Sequence, residues 1–185
     1  LNISKNRIIK GSLKCKNCAS IISIKNGVIN YDRNKNSINL NYKRYWEFSP
    51  SNFSYKKNLG EEKIFKKFSS YFKKSYILDA GCGNGRLIRT LIPFKPKLIV
   101  ATDLSKSIFI AAKNYKNKFN KIPIIFIYQN IENKFIKEKY FDVVISLGTI
   151  NFNINQRKII KNLNKMKKKL IILGLVSKQT TFGKI

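Results

Sequence analysis

From residue 60 onward two hydrophobic patterns take turns along the chain. Short, nearly unbroken apolar runs fall at 75–80, 97–103, 122–128, 141–147 and 170–176. Between them, apolar residues recur at helical spacing. Ile64, Phe65, Phe68, Tyr71 and Phe72 form one such face. Residues 85–92 form a second, stopped by Pro93. Ile108, Ala111, Ala112 and Tyr115 lie on a third, over 105–119, with Ser105 as its expected N-cap. Ile159, Ile160, Leu163 and Met166 mark a fourth, over 154–169. Unbroken apolar strands are the pattern of a parallel sheet covered on both faces. Strands alternating with helices then predict a doubly wound, mostly parallel α/β sheet with right-handed crossovers.

The first 45 residues read differently. They are polar, rich in Asn and Lys, and only weakly periodic. Two β-like stretches, 7–13 and 20–31, flank Cys15-Lys16-Asn17-Cys18, and Asn26-Gly27 is a two-residue hairpin signal. The expectation is a small β-hairpin appendage over 1–45 and an aromatic linker over 46–59 (Trp46, Phe48, Phe53, Tyr55). The main domain then covers 60–185. No internal repeat is visible.

Composition narrows the chemistry. Leu, Ile, Val and Phe make up about a third of the 185 residues, enough for a real core. No apolar run approaches the ~18 residues of a membrane span. Three cysteines do not make a disulfide scaffold, which points to a reducing, cytoplasmic setting. The chain has no histidine, so imidazole bases and histidine-ligated zinc are excluded. The formal net charge is +29. Such a balance suits a nucleic-acid partner. Yet only six of the 38 basic residues are Arg, and Lys, Asn and Ile are abundant everywhere, which fits a bias of the whole composition.

The stretch Ile77-Leu78-Asp79-Ala80-Gly81-Cys82-Gly83-Asn84-Gly85-Arg86 carries the chemistry. It is a strand, an acid, then glycines at alternate positions before a helix. Such a turn lets a ligand lie against bare backbone. The next strand ends at Asp103, 22 residues after Gly81, where a carboxylate accepts hydrogen bonds from ribose hydroxyls. A dinucleotide fingerprint would place its third glycine at position 86, where this chain has Arg86. The acid Asp79 before the first glycine is a further departure.

These residues, with Val100-Ala101-Thr102-Asp103-Leu104-Ser105 and Phe141-Asp142-Val143-Val144-Ile145-Ser146-Leu147-Gly148, resemble the class I S-adenosylmethionine-dependent methyltransferases over roughly 60–176. The resemblance implies S-adenosylmethionine as cofactor and a role for each matching position. Asp79 and the backbone around Gly81, Cys82 and Gly83 would hold the methionine end. Asp103 would take the ribose hydroxyls. Leu104 and Ile131 would sandwich the adenine, and Asn130 would meet its amino group. Ser146 and Leu147 would line the floor beside the sulfonium. The resemblance assigns no catalytic residue. After Gly148 many relatives have paired histidines; here the chain reads Thr149-Ile150-Asn151-Phe152, so the acceptor is not legible.

A small-molecule acceptor is the first reading. The alternatives are an RNA methyltransferase, using the seven basic residues of 157–169 and lysines 63, 66, 67, 73 and 74, or a non-catalytic cofactor-binding module. The N-terminal Cys15/Cys18 segment looks like a degenerate form of the zinc-ribbon leader found on some of these enzymes. Its two thiols are half of what zinc needs, so no metal is expected. Family members usually add a helix and two closing strands after the fifth strand. The domain is therefore expected to be C-terminally incomplete.

Overall fold

The computed structural model describes residues 2–4, 7–31, 59–115, 122–133, 136–152 and 155–174. The aromatic linker, apart from Leu59, and the region after 174 lie outside the described residues.

The parallel core of the sheet is β5 (Tyr76–Ala80), β6 (Leu98–Asp103), β7 (Ile124–Tyr128), β8 (Phe141–Leu147) and β9 (Lys167–Gly174). β5 pairs with β6 on one side and β8 on the other. The strand order therefore reverses at β5, the first strand of the core. Preceding it in the chain are α1 (Leu59–Lys67) and α2 (Ser69–Phe72). The remaining helices are α3 (Arg86–Leu91), α4 (Ser107–Asn114) and α5 (Gln156–Met166).

Strand alternation divides the core in two. Ile77, Ile99, Ala101, Phe126, Val143 and Ile145 point to one face, against side chains of α1 to α4. Leu78, Ala80, Val100 and Val144 point to the other, against Ile159, Leu163 and Met166 of α5. Each fully buried Leu, Ile or Phe contributes about 1.5–3 kcal/mol of transfer free energy, so this two-sided burial is what the continuous apolar strands encode.

The helices differ from the sequence expectation at their ends. The first breaks at Phe68, which lets Phe65 and Phe72 meet edge-on with ring centroids 5.4 Å apart. Pro93 ends α3 as expected, inside a single 3-10 turn. Ser105 does not cap α4. Its hydroxyl donates to Asp103 at 2.7 Å, and the helix starts two residues later with Lys106 at the N-cap. The last helix stops at Met166 rather than 169, where its apolar stripe ends. Lys167 already pairs with Phe141 in the sheet, so helix passes to strand with no loop between them.

The N-terminal segment forms β1 (Asn2–Ser4), β2 (Arg7–Lys14), β3 (Ile21–Lys25) and β4 (Val28–Asn30), antiparallel in sequence. Asn26 and Gly27 both have positive φ, +52° and +78°, as a two-residue hairpin turn requires. The hairpin continues the central sheet. β4 runs parallel to β7, with Val28 opposite Phe126 and buried. The full order is β1-β2-β3-β4-β7-β6-β5-β8-β9. The edge that β7 would otherwise expose is thus paired.

Candidate active site

The C-terminal ends of β5, β6, β7 and β8 lie side by side, and the loops leaving them form the site. The turn after β5 is held by backbone. The N–H groups of Gly81 and Cys82 both donate to the Thr102 carbonyl, at 2.8 and 2.9 Å. Gly81, Gly83 and Gly85 all have positive φ. At Gly81 the side chain of Thr149 also fills the space: a Cβ there would lie 2.1 Å from the Thr149 hydroxyl oxygen. That hydroxyl donates to the Gly81 carbonyl at 3.2 Å. Tyr115 of the segment after α4 donates its phenol proton to the Gly85 carbonyl at 2.9 Å. Cys82 is buried within the turn, and burial pushes its thiol well above the usual range. Burial there disfavours the reactive thiolate form.

Two carboxylates face this turn. Asp79 has no exposed surface, and neither of its oxygens has a hydrogen-bond partner among the described residues. Burial raises its pKa to about 7, against the opposing pull of the Arg86 guanidinium. Asp103 is also buried, but its Oδ2 accepts from Gly83 N–H and its Oδ1 from the N–H and hydroxyl of Ser105, each at 2.7 Å. Burial raises its pKa, and these bonds, together with the Leu104 N–H, hold the rise back.

The remaining expected residues gather at the same edge. Asn130 follows β7, and its Oδ1 accepts from the Glu132 N–H at 2.9 Å. Glu132 is anchored in turn by Asn155 and Asn162, at 3.0 and 2.8 Å. Ile131 packs in the α5-side core, and Leu104 is half-buried. Ser146 is buried and gives its hydroxyl to the Ala80 carbonyl at 2.8 Å. Leu147 is half-buried and lies against Gly174.

Three features escaped the sequence reading. Thr149 closes over Gly81. Gln129 is buried, and its Oε1 has no hydrogen-bond partner among the described residues, while its amide nitrogen reaches the carbonyls of Asn130 and Asn133. Arg86, noticed in sequence only as a missing glycine, forms an ion pair with Glu61 of α1. The composition offered one signal for the last: Arg is scarce in a chain that uses Lys almost everywhere.

The sequence profile described as "Methyltransferase domain" matches residues 77–170, just over half of the chain. The chain belongs to the methyltransferase-domain family. S-adenosylmethionine is the cofactor that goes with this membership. The methyltransferase fold is also found in solved structures. A candidate methyltransferase from Bacillus halodurans C-125 superposes with a TM-score of 0.53 at 16% identity, over 61% of this chain and 50% of its own. A candidate S-adenosylmethionine-dependent methyltransferase from Listeria monocytogenes gives 0.50 at 24%, over 60% and 51%. A protein from Pyrococcus horikoshii OT3 gives 0.53 at 20%, over 68% and 61%. The chain spans about half the length of the first two. No protein of curated function matches the sequence.

In this methyltransferase domain the switch of strand order at β5 puts the glycine turn at the crevice where open α/β sheets take their ligands. The Cys15/Cys18 pair lies in the turn between β2 and β3, where Cys18 meets the Ser20 hydroxyl at 3.0 Å. No cluster of three or more His, Cys, Asp or Glu able to hold a metal occurs among the described residues. No helix among them is long and apolar enough to cross a membrane.

Proposed function

We propose that this chain binds S-adenosylmethionine across the ends of β5, β6 and β7 and transfers its methyl group to a small-molecule acceptor. The observation that carries the reading is Asp79: a fully buried carboxylate with no hydrogen-bond partner among the described residues, beside a glycine turn whose Gly81, Cys82, Gly83 and Gly85 N–H groups are already used. Leaving such a group unsatisfied costs several kcal/mol. A cationic ligand group removes that cost, and the ammonium of a methionine end is one. The bare backbone at Gly81 to Gly83 suits the chain of atoms that follows it. Asp103, with one short bond on Oδ2 where Oδ1 has two, retains room for a ribose hydroxyl. Leu104 and Ile131 supply the apolar walls for the adenine, and Asn130 the polar contact at its edge.

The cofactor brings a methyl group already activated on a sulfonium. What remains for the protein is alignment and exclusion of water. Ser146 stitches β8 to β5 under the site, and Thr149 ties the loop after β8 to the glycine turn, so the acceptor side and the cofactor side are held in one frame. With no histidine in the chain, a side chain here that takes a proton from the acceptor is a carboxylate, a tyrosine or an unprotonated amine.

The test is calorimetric titration with S-adenosylmethionine, its demethylated product and NAD. Micromolar binding of the first two, about −8 kcal/mol, supports the reading. Preferential binding of NAD overturns it. Methyl release to added acceptors then separates an enzyme from a binding module.

A further inference from the structure

The site described above occupies the C-terminal ends of the core strands. The opposite end of the same parallel strands has a character of its own. Lys74 lies just before β5, Lys95 and Lys97 just before β6, and Lys139 and Tyr140 just before β8. Backbone bonds draw these segments together. The Lys74 N–H donates to the Lys95 carbonyl at 3.1 Å, the Lys97 N–H to the Ser75 carbonyl at 2.8 Å, and the Lys139 N–H to the Lys165 carbonyl at 2.8 Å. All four lysines are exposed. Glu138 and Asp142, acids of the same end, are engaged by other lysines: Glu138 by Lys165 at 3.6 Å and Asp142 by Lys169 at 3.5 Å. Two rings lie among the cations. Lys97 Nζ sits over the ring of Tyr76, 5.1 Å from its centroid. Tyr140 stands beside Tyr76 with centroids 5.9 Å apart, and 42% of it is exposed.

A lysine-rich composition does not by itself account for this patch. Lys74, Lys95 and Lys139 all have positive φ, +54°, +54° and +51°. A residue with a Cβ adopts that conformation at a cost, which glycine escapes and asparagine bears better than most. The chain is rich in Asn and uses Asn26-Gly27 at positive φ in its hairpin turn. At the three turns that open onto the base of the sheet it carries Lys instead.

We propose that this end of the sheet is a docking surface for single-stranded nucleic acid. Lys74, Lys95, Lys97 and Lys139 meet its phosphates, and a base stacks on the exposed ring of Tyr140. Charge alone would suit any polyanion; the open ring favours a partner that offers flat π-faces along with its charge. The surface lies a strand's length from the glycine turn, so the polynucleotide held there anchors the protein and is not presented to the cofactor site. The proposal does not rest on the cofactor reading.

The test follows the anisotropy of a labelled oligouridylate from low to physiological salt. The wild type is compared with Tyr140→Leu, with Lys97→Gln, and with the triple variant Lys74→Gly, Lys95→Gly, Lys139→Gly. A control loses the same charge at three exposed lysines of the N-terminal hairpin: Lys10→Gln, Lys14→Gln, Lys25→Gln. Tyr140→Leu should weaken binding about fivefold or more. The glycine triple should weaken it further and make the slope of log affinity against log salt shallower by about 2, for three lost phosphate contacts. The control should bind as the wild type does at physiological salt, where distant charges are screened. Urea unfolding checks each variant; should the triple variant not fold, Tyr140→Leu and Lys97→Gln carry the test, each expected to weaken binding. An equal loss in the control would make the binding a matter of net charge and overturn the proposal. Undiminished binding by Tyr140→Leu and Lys97→Gln would overturn it as well, and so would a wild type that releases the oligonucleotide at physiological salt. Preference for anionic phospholipid vesicles over the oligonucleotide would give the surface to a membrane instead.

Discussion

Asp79 and Asp103 stand on neighbouring strands, on the same face of the sheet, and both are buried. Their surroundings are opposite. Asp103 receives three short hydrogen bonds from its own loop and from the glycine turn, whereas Asp79 receives none among the described residues. Burial alone therefore does not tell what a carboxylate is for. Asp103 is part of the architecture: it is the acceptor around which the β6–α4 loop and the glycine turn are organised. Asp79 has no hydrogen-bond partner among the described residues, which costs the free protein stability, and the proposed ligand ammonium would repay that cost.

Mutations should pull the two apart. Asp79→Asn is expected to weaken cofactor binding more than tenfold, because the ligand ammonium loses its anion, and yet to make the free protein more stable. The folded-state pKa of about 7 lies above the unfolded value. The folded state thus binds more protons than the unfolded one between about pH 4 and 7, and stability falls across that window as pH rises. The full penalty applies above pH 7. Removing the charge there should raise stability by on the order of 2–4 kcal/mol. Urea unfolding at pH 8 and pH 4 checks this; the gain should be present at pH 8 and absent at pH 4.

Asp103→Ala should move stability the opposite way. It strips the acceptor from three donors and should cost about 2–4 kcal/mol of stability, with cofactor affinity falling as the turn loosens. Unfolding curves that match the wild type would show that Asp103 is not organising the loop.

The comparison sharpens further with pH. Cofactor affinity should climb from pH 6 to 8 as Asp79 ionises and level off above that, and the slope should vanish in Asp79→Asn. A flat wild-type profile would mean that the ligand does not meet Asp79. The smallest effect is expected at Ser105→Ala, about 1 kcal/mol of stability, since the Ser105 N–H still holds Asp103 when the hydroxyl is gone.

What the sequence revealed follows the range of the forces involved. β8 was legible to the residue, because the mostly apolar Phe141–Leu147, bounded by polar residues, is too short for a helix and rich in β-branched residues. The glycine turn was legible because positive φ is a local demand that only glycine meets without strain. Both acids were visible as acids. Their contrast was not, since it depends on which donors the fold brings to each. The same holds for Arg86, whose partner Glu61 is 25 positions away on another helix. Ser105 was misread for a related reason: the sequence offers a capping hydroxyl, and the fold gives it a stronger, charged acceptor two residues back. The end of α5 was obscured because lysines 167–169 carry no apolar period to mark the change to strand, which is imposed by pairing with β8.

The pairing of β4 with β7 has a consequence for the order of assembly. Val28 meets Phe126 across about a hundred residues of chain. On the ribosome, the N-terminal hairpin emerges long before the strand it must lie beside, and it can form its own turn but not its final edge. Closing so distant a contact is slow relative to local helix and hairpin formation. The sheet is therefore expected to be built outward from β5 and β6, with the N-terminal hairpin among the last elements to dock. Pulse-labelled hydrogen exchange during refolding should show β5 and β6 amides protected before those of β4. Simultaneous protection would place the hairpin in the folding nucleus instead.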